Sequence, residues 1–166
     1  MSDHLLVSVL GNRHAGKTTT WHELFGTTVR TGKQERRLYL NSAQWIKVFL
    51  VSGSAEERNQ PIQAVLSGKL PQIVLCSMQY RTGVTKTYNH FFGSHYEVFV
   101  QWLNPGHGEI SRYSDRLALG DFLLDKGATI QIRAGHIDPR SRVKELRQFL
   151  LGWATHRGLV HTDFTA

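Results

Sequence analysis

Residues 4–18 read HLLVSVLGNRHAGKT. From Leu5 to Leu10 only Ser8 interrupts a run of Leu and Val, the composition of a short strand buried on both faces of a parallel sheet. Gly11, Gly16, Lys17 and Thr18 then satisfy the pattern G-x-x-x-x-G-K-[ST] in full. Beyond it, Trp21, Leu24 and Phe25 recur at helical spacing. The pattern therefore sits between a strand and a helix, the context in which it makes a phosphate-binding loop.

The chemistry follows from residue type. Glycines at 11 and 16 admit close backbone approaches, so that successive N–H groups can converge on phosphate oxygens. The helix opening near Gly16 adds the positive end of its dipole. Lys17 is the catalytic residue the motif offers, a point charge for the β- and γ-phosphates, and the Thr18 hydroxyl is a Mg²⁺ ligand. Asn12, Arg13, His14, Ala15 and Thr19 complete the predicted nucleotide-contacting set.

With 166 residues the chain is expected to form one domain, residues 1–166, large enough for a substantial core. No apolar stretch approaches the ~20 residues of a membrane span, and the start MSDHLLVSVLG lacks a signal peptide's charged lead, so a cytoplasmic location is expected. Cys76, the only cysteine, excludes a disulfide within one chain and reads as a buried thiol in the run IVLC. The nine histidines are dispersed without the spacing of a zinc site. A formal charge of +7 implies an anionic partner. Lys and Arg are scattered rather than blocked, which favours a nucleotide, with a protein partner or regulator, over nucleic acid.

The remaining elements alternate. RRLYL (36–40) and WIKVFLV (45–51) form a strand hairpin across NSAQ, and a helical turn lies around 62–66. QIVLCSM (72–78) and YEVFVQWL (96–103) read as strands on either side of a helix from Gly83 to Phe92. Ser114 or Asp115 caps a helix carrying Leu117, Phe122 and Leu123 that stops at Gly127. ATIQIRAG supplies the last strand, and Asp138-Pro139 opens a long helix. On that helix Val143, Leu146, Phe149, Leu150 and Trp153 form an apolar stripe, with Arg140, Lys144 and Arg147 on a solvated face.

This order of elements, with the hairpin after the phosphate loop, resembles the Ras-like small GTPase domain over most of the chain. VSGSAEE (51–57) is similar to the family's D-T-A-G-Q-E-E, and IRAG (132–135) occupies the place of its S-A-K base loop. The resemblance implies an α/β fold of three layers: a mostly parallel six-stranded sheet with one antiparallel edge strand and helices on both faces. It also implies base contacts from Asn104 and Ala134, and makes Thr31, in the polar stretch 26–35, a second Mg²⁺ ligand. Two motifs are eroded. The metal-holding Asp is replaced by Val51 or Ser52 and the water-orienting Gln by Ala55, with Glu56 and Glu57 just beyond. Asn104-Pro105-Gly106-His107 stands where N-K-x-D reads guanine, without its aspartate.

The sequence thus points to Mg²⁺-dependent binding of ATP or GTP with weak discrimination between them, and to a regulatory NTPase that hydrolyses slowly or only with a partner. Two other readings stand beside it. One is a small P-loop kinase using Arg81, Arg112 and Arg116 as phosphate clamps; the other is a basic interaction module in which the nucleotide is structural.

Overall fold

The computed structural model describes residues 2–105 and 115–163. Among these residues seven strands and six helices follow one another as β1 (Leu5–Gly11), α1 (Lys17–Phe25), β2 (Arg36–Tyr39), β3 (Gln44–Val51), α2 (Ala55–Arg58), α3 (Ile62–Val65), β4 (Ile73–Gln79), α4 (Val84–Gly93), β5 (Glu97–Leu103), α5 (Leu119–Asp125), β6 (Thr129–Arg133), α6 (Arg140–His156) and β7 (His161–Thr162).

The sheet order is β2-β3-β4-β1-β5-β6. β1 lies at its centre, parallel to β4 (Leu5 opposite Ile73, Gly11 opposite Gln79) and to β5 (Leu5 opposite Glu97). β2 is the antiparallel edge strand, with Leu38 opposite Ile46. The expected six strands become seven, because β7 pairs antiparallel with the start of β3 through Gln44–Thr162 and Trp45–His161. Two residues are too few to show a period. They are held by side chains instead: His161 stacks on Trp45 with ring centres 4.1 Å apart, and Asp163 accepts from Trp45 Nε1 at 2.9 Å and Tyr39 Oη at 2.7 Å.

Alternation along β1 divides the core. Leu5, Val7 and Val9 face Trp21 and Leu24 of α1 and Val143, Leu146 and Leu150 of α6. Leu6 and Leu10 face the opposite way, with Val84, Tyr88 and Phe91 of α4 and Leu119 and Leu123 of α5. Ser8, the one polar residue of the run, shares a 2.5 Å hydrogen bond with the Tyr88 hydroxyl, which satisfies both groups in a dry interior. Because α1 leaves β1 on one face and α4 leaves β4 on the other, a crevice opens at the carboxyl ends of these strands, where open α/β sheets bind ligands.

Two helix details differ from the sequence reading. Asp115 caps α5 by accepting the N–H groups of Leu119 and Gly120, but the helix begins at Leu119, so Leu117 precedes it; Ser114 lies outside the described residues. Arg147 is not simply solvated. It donates to the carbonyls of Glu23 and Leu24 at 2.8 and 3.0 Å, satisfying the open end of α1 and tying it to α6.

Candidate functional site

The loop from Gly11 to Lys17 wraps around its own lysine. Lys17 Nζ donates to the carbonyls of Gly11 at 3.0 Å and Asn12 at 2.8 Å, and the side chain is only 7% exposed. A loop lysine reads as exposed from sequence; here the curled backbone buries it. Burial pushes its pKa below 10.5, opposed by the negative charges of Glu57 and Glu56. The curl depends on two backbone features. A Cβ at Gly11 would lie 2.7 Å from that of Ala15, and Gly16 has φ of +109°, with a Cβ there falling 2.6 Å from the Gly135 carbonyl. The first turn of α1 leaves the N–H groups of Lys17, Thr18 and Thr19 without partners inside the helix, and all three residues border the same space.

These groups open on a cavity of about 480 Å³. Residues 13–19 line one side, and Ser52, Gly53 and Glu57 line the other. Ser54 accepts the N–H of Glu57 and starts α2, which turns the exposed Glu57 toward the cavity. Its neighbour Glu56 points away and is buried, accepting from the Gln79 N–H at 2.9 Å and the Thr87 hydroxyl at 2.6 Å. Burial raises the Glu56 pKa in spite of these bonds. The pair that sequence could not separate has one member at the cavity and one in the packing between α2, β4 and α4.

Thr18 lines the cavity and Thr31 does not. Thr31 Oγ1 accepts from Ser52 N at 2.9 Å and from Arg58 Nη2 at 2.7 Å, and Arg58 Nε also donates to Gly53 O. Thr31 therefore stands behind the Ser52–Gly53 wall. Among the described residues no group of three or more His, Cys, Asp or Glu side chains gathers to hold a metal. Of the oxygens lining the cavity, the Thr18 hydroxyl and the Glu57 carboxylate are ones that could hold a metal.

On the other flank, Asn104 joins the phosphate loop to the loop after β6. Its Oδ1 accepts the Gly135 N–H at 2.7 Å and its Nδ2 donates to Ala15 O at 3.2 Å. Ala134 follows β6 beside this junction. Gly135 packs so closely on the phosphate loop that a Cβ would fall 1.8 Å from Ala15 O. Asn12, Arg13, His14, Ala15, Asn104 and His136 surround a small recess here. Gly106 and His107 lie outside the described residues.

Of the arginines of the kinase reading, neither Arg81 nor Arg116 lines the cavity of the loop. Arg81 lines a separate cavity between α2, α3 and the start of α4, and Arg116 sits over the Tyr80 ring at 5.4 Å. Arg112 lies outside the described residues. Sequence reasoning missed Arg142, which is buried beneath the phosphate loop. Its spacing of four and seven residues from Leu146 and Phe149 puts it beside the apolar stripe, the signal that marks an inward-facing charge.

No protein-family model matches the chain, and no curated protein matches it in sequence. Among solved structures it is similar to the translation elongation factor SelB from Methanococcus maripaludis in complex with the GTP analogue GppNHp, with a TM-score of 0.55 and 17% identity. The match covers 99% of this chain and 36% of that protein, so the chain spans about a third of its length. The likeness is one of fold: a mixed α/β, mostly parallel sheet arranged as in a GTP-analogue-bound elongation factor.

Proposed function

We propose that this chain binds a Mg²⁺–nucleoside triphosphate in the 11–19 loop and acts as a Ras-like regulatory NTPase with slow or partner-dependent hydrolysis. The observation that carries the reading is the curled loop itself. A buried lysine, the first three residues of a helix and a left-handed glycine line one cavity at the carboxyl end of the central strand. That donor set is cationic and amide-rich, which suits phosphate oxygens.

The roles follow from position. The amides of residues 13, 14 and 16–18 hold the phosphate chain, that of Ala15 already donating to the Asn12 carbonyl at 3.1 Å, and Lys17 exchanges its two carbonyl partners for phosphate oxygens. Thr18 is the residue to hold Mg²⁺, an ion that spreads the charge of the β- and γ-phosphates when bound. Thr31 joins it only if the Ser52 and Arg58 bonds open. Asn104 and Ala134 shape the side toward the base. With Asn104 already engaged by Gly135 and Ala15, and with no aspartate following it, ATP and GTP should bind with similar affinity.

Hydrolysis needs a group that orients water, and Ala55, 2% exposed, has none to offer. Val51 is fully buried and apolar, so it supplies no carboxylate behind the metal. Intrinsic turnover should therefore be no faster than about 10⁻⁴ s⁻¹, the scale of an unassisted Ras-type enzyme. Single-turnover phosphate release from radiolabelled ATP and GTP tests this. Turnover near 1 s⁻¹ by the isolated chain would reject it.

A further inference from the structure

Arg142 is the charged side chain that the fold explains least. It lies in the first turn of α6 and is 3% exposed. Its Nε donates to Thr20 Oγ1 at 3.1 Å, and Nη1 donates to the carbonyls of Ala134 and Ile137 at 3.3 and 3.2 Å. Nη2 reaches the Gly16 carbonyl at 3.4 Å, which also accepts the Thr20 hydroxyl at 2.8 Å. All these partners are neutral oxygens. None of the ion pairs among the described residues includes Arg142, and Asp138, the acid acting on it, is exposed and bound to Arg140.

An arginine does not shed its proton in a protein. Folding therefore buries a cation that no carboxylate neutralises, a costly state that an apolar side chain of similar volume would avoid. The place of that cation is specific. Gly16 immediately precedes Lys17, and a Cβ on Gly16 would lie 3.2 Å from Arg142 Nη2. The guanidinium thus backs the phosphate loop from the protein side while Lys17 sits within the loop.

We infer that Arg142 is a fixed positive charge behind the phosphate loop whose counter-ion is the phosphate chain of the ligand, so that it sets a preference for ligands carrying more phosphates. The same hydrogen bonds make it a positioning residue, since they fix the Gly16 carbonyl relative to the 134–137 loop. The inference rests on the nucleotide-binding reading and adds to it which residue grades phosphate number.

The test titrates the Mg²⁺ complexes of adenosine and guanosine mono-, di- and triphosphates into the native chain, Arg142→Met and Arg142→Lys. Each is used at a temperature where circular dichroism shows it folded. Arg142→Met should lose about tenfold or more for triphosphate, less for diphosphate, and within about threefold for monophosphate. Arg142→Lys keeps the charge but not the planar fork, and should hold the native triphosphate-to-diphosphate ratio within about threefold. An equal loss for all three ligands in Arg142→Met, or no loss, would overturn the inference. If Arg142→Met does not fold, Arg142→Gln takes its place: a fallen triphosphate-to-diphosphate ratio beside a retained one in Arg142→Lys supports the charge role, and an unchanged ratio in Arg142→Gln contradicts it. Failure of the native chain to bind any of the six nucleotides would instead remove the nucleotide reading, and this inference with it.

Discussion

The carboxylate of Glu56 accepts the Thr87 hydroxyl at 2.6 Å inside the protein, while Glu57, the next residue, lines the cavity of the phosphate loop. Two adjacent acids thus have separate tasks, one holding α2 against α4 and the other giving the site its only lining carboxylate among the described residues. Glu56→Ala strands the Gln79 N–H and the Thr87 hydroxyl, and should cost about 1–3 kcal/mol, or roughly 2–12 °C in melting temperature. Glu57→Gln should leave stability within about 0.5 kcal/mol and alter the Mg²⁺ dependence of nucleotide binding instead. Melting curves with and without Mg²⁺-nucleotide separate the two. A Glu57→Gln variant that melts as low as Glu56→Ala would reverse the assignment.

Glu56 also predicts a pH effect. Burial raises its folded pKa above the ordinary 4.5, so the folded chain takes up this proton before the unfolded chain does. Its contribution to stability is present in full below 4.5 and is lost as pH rises through the folded value. The melting temperature of the native chain relative to Glu56→Gln should therefore increase as pH falls from 7 toward 4.5. A difference that is flat, or that shrinks, contradicts a raised pKa.

Gly135 and Gly152 make a contrasting pair. Gly135→Ala would drive a methyl into the Ala15 carbonyl at 1.8 Å, so the phosphate loop must move. Nucleotide affinity should fall tenfold or more, about 1.4 kcal/mol, as followed by calorimetry. Gly152, inside α6, has nothing within 4 Å of its missing Cβ, and Gly152→Ala should stabilise by about 0.5–1 kcal/mol with binding unchanged.

Much of this was legible in the sequence because local pattern decided it. The apolar β1 run, the G-x-x-x-x-G-K-T loop and the β2–β3 hairpin each carry a period or a fixed spacing that long-range contacts do not override. What was not legible depends on partners far along the chain. Lys17 looked exposed because its burial comes from the carbonyls of Gly11 and Asn12, which only the curled loop presents. β7 exists because Trp45, some 116 positions away, stacks on His161. The different tasks of Glu56 and Glu57 are set by Thr87 and Gln79, whose places follow from α4 and β4 rather than from the acids themselves.

The central claim is that the 11–19 loop is a phosphate cradle closed by Lys17, and a thermal-shift titration with ATP, GTP, ADP and GDP, with and without Mg²⁺, tests it most directly. At about 100 times the dissociation constant, Mg²⁺-triphosphate should stabilise the native chain by about 2.7 kcal/mol, or roughly 5–11 °C. Lys17→Ala should lose most of that shift. Because the lysine is buried and doubly bonded, its apo form should also melt slightly lower, by about 1 kcal/mol or less. The absence of any shift in the native chain at millimolar nucleotide, or an undiminished shift in Lys17→Ala, would contradict the account.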